Sequence, residues 1–149
     1  MNQLPKLVAH CTWANRAWLQ FIVDKAASDD WLLRRLSHIM LGERAWFQRI
    51  HGQEPGRDIW ALLPVLQLEQ LSAEHERIFA ELLEDGELAR VVSFQRFTGE
   101  RYQSPVGDVL LHMALHGAHH RGQMATHSSA IGIAPINTDF IEYCRIHNL

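Results

Sequence analysis

Apolar residues recur at steps of three and four along most of this 149-residue chain, and that period commits it to packed helices. Leu4, Leu7, Val8, Cys11, Ala14, Trp18, Phe21 and Ile22 keep the spacing and predict a helix over 4–25. Ser28-Asp29-Asp30 breaks it and supplies N-cap chemistry for a second helix, about 31–51, that stops at Gly52 with Pro55 beyond. A loop over 52–58 and a short helical turn over 59–63 lead into a third helix over 64–84. Its stripe is Leu68, Leu71, His75, Ile78 and Leu82, and Asp85-Gly86 ends it. Residues 88–103 lose the period. Val91, Val92, Phe94 and Phe97 are β-branched or aromatic, Thr98-Gly99 is a turn signal, and Arg101-Tyr102 begins a return strand, which predicts a small hairpin. Ser104-Pro105 then opens the last long helix, with Ser104 as its cap, and Gly132 closes it after Ile131. A short final helix fits 138–146. Four long helices with an irregular hairpin crossover before the fourth predict an all-α four-helix bundle in one domain.

Composition narrows the function. Net charge is −3 and the pI about 6.3, without the basic excess of a general nucleic-acid binder. No apolar run reaches 18 residues, so no membrane span is expected. Residues 1–5 lack the cationic and apolar blocks of a signal peptide, so a cytoplasmic protein is expected. Two cysteines, Cys11 and Cys144, build neither a disulfide framework nor a zinc site by themselves. The outlier is histidine: of ten, five fall between positions 112 and 127.

His112, His116 and His120 are spaced by four, so they stack on one helix face, with His119, Gln123 and His127 on the same side. The neighbouring stripe is Leu110, Met113, Gly117, Met124 and Ile131, which turns the histidine ridge into the bundle or along its mouth. Two imidazoles at i and i+4 can bind one ion from one helix. Position 117 is Gly where a zincin has its catalytic Glu, and no Glu stands three residues before any His, so zincin and ferritin-like di-iron sites are both disfavoured. Burying several imidazoles requires many partners, and a shared metal ion supplies one. A mononuclear site needs a third ligand from another helix. His10, His38 and His75 are the candidates, and on the helical wheel His75 is the best placed. His38 shares a less apolar face with Trp31, Gly42, Ala45 and Arg49, and Gly42 leaves room there for a cavity. Protons compete with metal at imidazole, so affinity is expected to fall through the free-imidazole range near pH 6.5.

Four motifs go further. Trp13-Ala14-Asn15 stands in the first helix, and Leu36-Ser37-His38-Ile39 with Glu43 and Trp46 in the second. His116 followed by His120-Arg121-Gly122-Gln123 stands in the fourth, and residues 132–143 carry Pro135 and Asp139. On these motifs the chain resembles the DinB/YfiT-like family over nearly its whole length, with Leu115 where that family often has Asn. The resemblance implies a four-helix bundle and a divalent metal on His38, His116 and His120, which replaces the wheel preference for His75. Members of known activity include thiol S-transferases that use bacillithiol and mycothiol-dependent isomerases with a related domain. The expectation is therefore a three-histidine metalloenzyme, with zinc or nickel first and iron or manganese within range. It would transfer a low-molecular-weight thiol to a small electrophile. The rivals are a metal-dependent hydrolase and a non-enzymatic metal-binding or stress-response protein. Gln123, Arg121, His119, His112 and Arg49 are the candidates for supporting the ligands or holding substrate, and no catalytic residue is assigned. Five tryptophans, hard to bury in one small core, raise the expectation of a homodimer.

Overall fold

The computed structural model describes residues 3–84 and 86–149. Four long helices carry it: α1 (Leu4–Lys25), α2 (Asp30–Ile50), α3 (Val65–Leu82) and α4 (Val106–Ala130). A hairpin of β1 (Val91–Gln95) and β2 (Arg101–Pro105) precedes α4, and a short α5 (Phe140–Ile146) closes the chain. The fold is an all-α bundle with one small antiparallel hairpin, as the periodicity predicts. Among the described residues, no helix is long and apolar enough to cross a membrane.

Local chemistry sets the boundaries. Asp29 caps α2, its Oδ1 accepting from the Leu32 amide at 2.8 Å. Gly52 after α2 and Gly132 after α4 take positive φ, at 71° and 82°. Asp85, expected to end α3 with Gly86, lies outside the described residues, while Gly86 itself has φ 90°. Three expectations change. Residues 59–63 form no helix, only a turn at 59–60 followed by irregular backbone. Their polar groups are used by α2 instead: the Leu63 amide donates to Ser37 Oγ at 3.1 Å. Ser104 does not cap α4, because β2 continues through Pro105 and pairs Ser104 with Val92. Ile131 falls one residue past α4 and is 44% exposed.

The core has two apolar halves. Trp18, Ile22, Leu32, Leu36, Leu68 and Met124 fill one. Val8, Phe47, Phe79, Val92, Val106 and Leu110 fill the other, where the hairpin packs on the bundle. Each long helix carries a buried polar residue between its contributions to the two halves: Asn15, Glu43, His75 and Arg121. These four join into one chain. Arg121 Nη1 donates to Asn15 Oδ1 (2.9 Å), and Asn15 Nδ2 donates to Glu43 Oε1 (3.0 Å). His75 Nδ1 donates to Glu43 Oε2 (2.8 Å). These linked polar groups fix how the helices meet, while His75 Nε2 and Arg121 Nη2 stay buried without a hydrogen bond. Gly117 makes room for this chain, since a Cβ there would lie 2.8 Å from Arg121 Nη1.

Candidate metal centre

Helices α2 and α4 run antiparallel, so His38 meets His120, Gly42 meets His116 and Trp46 meets His112. Gly42 allows the close approach, because a Cβ there would stand 3.3 Å from the His116 ring. His38 and His120 are buried and His116 is partly open. Nε2 of His120 lies 3.1 Å from Nε2 of His38 and 3.1 Å from Nε2 of His116. One ring nitrogen from each of the three falls within 4.8 Å of the others, and among the described residues no carboxylate or thiol joins the group.

The outer nitrogens point to the tautomers. The Nδ1 of His38 lies 2.8 Å from the Ile59 carbonyl oxygen, which can only accept, so that nitrogen carries the proton. His120 Nδ1 donates in the same way to Gln123 Oε1 at 2.8 Å, and Gln123 Nε2 in turn donates to His119 Nε2 at 3.0 Å. The Nε2 atoms of His38 and His120 are therefore bare lone pairs facing each other at 3.1 Å, an arrangement that a cation relieves. For metal–nitrogen bonds of about 2.05 Å, ligand nitrogens stand about 2.9 Å apart at right angles and about 3.3 Å apart at tetrahedral angles. Both spacings to His120 fall between those values, and the three histidines are positioned to bind a metal ion. Burial is the largest cause holding the His38 and His116 pKa values down at about 4, and it lowers that of His120 as well. The ligands are thus neutral at pH 7, the form that binds metal.

The surroundings orient the rings. Trp60 stacks on His38 with centroids 3.5 Å apart and planes 6° from parallel. The Arg35 guanidinium lies over Trp31 and Trp60 at 4.7 and 4.9 Å, with Nη1 3.4 Å from His120 Nδ1. Of the supporting candidates, Gln123 touches His120 directly and His119 reaches the site through Gln123. His112 is exposed, with its ring 6.1 Å from His116 and 5.3 Å from Trp46. Arg49 lies farther along α2, over Trp46 and Phe97 at 4.7 and 5.1 Å. Arg121 does not reach the ligands; it is buried in the polar chain that runs to Asn15. Leu115 is 62% exposed, so its departure from the family pattern falls on the outer surface.

His75 does occupy the core, as its wheel position predicts, but both Glu43 oxygens are committed and His75 Nδ1 is bound to one of them. His10 is equally remote, its Nε2 donating to the Thr138 carbonyl at 2.8 Å. Asn15 and Glu43 stand in the sequence motifs without an assigned role, as polar members of otherwise apolar stripes, beside Cys11 and Trp18 and beside Ile39 and Phe47. That misplacement was the available signal. Trp60 and Arg35 gave none, since one sits in an aperiodic loop and the other is a surface-type residue. Burial pushes the Cys11 thiol up to about 11, so it is no nucleophile.

The DinB family model matches residues 1–147. No curated protein matches the chain.

Proposed function

The chain belongs to the DinB family, and from that premise we propose that it is a metal-dependent enzyme that transfers a small thiol to an electrophilic small molecule. The reading rests on one observation: three imidazole nitrogens converge with no carboxylate among them, two of their Nδ1 atoms are pinned, and His116 remains partly open. A divalent ion on three neutral ligands keeps its full charge and acidifies a bound thiol or water. Zinc and nickel suit such a nitrogen set best.

The chain's own residues supply the rest. His38 and His120 are held in register by Ile59 and Gln123, so little reorganisation accompanies binding. Partial desolvation of the His112 ring first, and the Arg96 charge second, lower its pKa below the free-imidazole value. The ring stands beside His116 and accepts the thiol proton. The resulting thiolate attacks the electrophilic carbon, and the leaving group departs with the bonding pair. The attacking thiol is a co-substrate, because Cys11 is buried and Cys144, only partly exposed, sits on α5. Two unpaired cysteines also support the expected reducing, cytoplasmic setting. Leu111 and Leu115, one turn apart on α4, are 43% and 62% exposed and offer a face for a homodimer.

The test begins with untagged protein purified without a nickel column and analysed for metal, followed by a zinc titration. The loaded protein is then assayed with low-molecular-weight thiols and electrophilic co-substrates. Thiol consumption that needs both metal and electrophile is expected. Product release without thiol would instead show hydrolysis, and a bound metal without turnover would leave a metal-binding protein.

A further inference from the structure

A cavity of about 530 Å³ opens between α2, α4 and the hairpin, beside His112 and Ile59. That volume is within the range of small-molecule sites. Its walls are aromatic: Trp46 from α2, and Phe94, Phe97 and Tyr102 from the hairpin. His112 and Ile59 form the end nearest the histidines. Both border the metal centre, His112 through its ring contact with His116 and Ile59 through its carbonyl on His38. Arg49 lines the same cavity, eleven residues past His38, or about 16 Å along the helix axis.

Arg49 makes no close ion pair, and Glu54 acts on its charge only from beyond contact distance. Among the described residues no carboxylate comes within 4.0 Å of its guanidinium, and its Nε is buried without a hydrogen bond. The guanidinium is instead held flat between Trp46 and Phe97. Asp108 and Arg96 also border the cavity, and Arg96 lies 3.9 Å from Glu100, so Arg49 is the lining cation that has no carboxylate within 4.0 Å among the described residues. A planar guanidinium fixed in an apolar cleft binds a carboxylate through two parallel hydrogen bonds and stacks the rest of the ligand on its aromatic walls.

From this juxtaposition we infer that the cleft is the electrophile site, and that it takes a flat apolar carboxylate whose anionic end rests on Arg49 and whose body points to His116. The inference deepens the transferase reading and rests on it for the word electrophile. The binding site itself is independent of metal, and so is its test.

The probes are 2-naphthoate and its neutral analogue 2-naphthamide, titrated calorimetrically into full-length protein freed of metal with EDTA. Wild-type protein is expected to bind naphthoate at least tenfold more tightly than naphthamide. Arg49→Met, which keeps an apolar stem on Trp46, should abolish that ratio by weakening naphthoate alone. Phe97→Ser, on the exposed hairpin, should weaken both probes. His116→Ala should leave naphthoate binding intact while removing zinc binding, so a failed metal site and a failed cleft give different results. Equal affinity of the two probes for the wild type would overturn the inference, and so would naphthoate binding unchanged in Arg49→Met. Should that variant not fold, the two-probe ratio on the wild type decides.

Discussion

His38 and His116 hold pKa values of about 4 in the folded chain against about 6.5 when unfolded. Between those values the unfolded chain binds protons that the folded one refuses. Stability of the metal-free protein is therefore complete above pH 6.5 and declines as pH falls toward 4. Melts in EDTA at pH 7.5, 5.5 and 4.5 should show that descent. The same depression moves proton competition for zinc down from the free-imidazole range expected from sequence. Zinc affinity measured by calorimetry should stay level from pH 8 to 6, and a fall starting near pH 7 would mean that the ligands behave as exposed imidazoles. Single substitutions separate the roles. Ala at His38, His116 or His120 should abolish tight zinc binding, and Gln123→Ala should weaken it about 10- to 100-fold by freeing the His120 ring. His75→Ala should bind zinc normally yet lose stability, because Glu43 then keeps a buried charge with one partner fewer. A loss of about 3–5 kcal/mol is expected in urea unfolding.

At the scale of elements, two glycines make room for side chains of α4, Gly117 for Arg121 and Gly42 for His116. Gly117 packs against Arg121, and an alanine there meets Nη1 at 2.8 Å. Helix propensity alone would favour Gly117→Ala by about 1 kcal/mol. Displacing the buried guanidinium from Asn15 costs several times that. The variant should therefore melt lower than wild type, and a rise in melting temperature would show that Arg121 shifts without penalty. Gly42 has the equivalent place against His116. The hairpin illustrates a different limit. Alternating Val91, Val92, Ser93 and Phe94 announces strands, and Val92 is buried while Val91 is 58% exposed. Nothing local indicates that Phe94 lies 5.0 Å from Trp46, the contact that brings the hairpin's aromatic wall to α2.

Across the whole molecule, the tryptophans do not gather into one interface. Trp18 is buried, Trp13 packs on Tyr143, Trp46 meets Phe94 and His112, and Trp31 and Trp60 sit at the mouth of the metal centre. The proposed dimer rests instead on Leu111 and Leu115. Light scattering at micromolar concentration should give twice 17.2 kDa, reverting to one chain's mass in Leu115→Glu. A wild-type mass that stays at one chain's value would remove the dimer. Zinc should raise the melting temperature at pH 7.5 through binding to the native state alone, and the three ligand variants should lose that shift.

The sequence by itself determined the helices, the hairpin and the i, i+4 histidine pair, because each depends on a period or a cap read over a few neighbouring residues. The motifs also marked His38, Glu43 and Asn15 as residues of one family pattern, and the resemblance assigned His38 to the metal while leaving Glu43 and Asn15 without a place. Only the packing of α2 against α4 decided that His38 meets His120 and that His75 belongs to Glu43. That choice depends on which faces of two helices touch, and a helical wheel ranks apolar faces without pairing them. The Trp60 ring over His38 and the Phe97 ring against Arg49 likewise arise from contacts between segments far apart in the chain, where no local pattern carries the information.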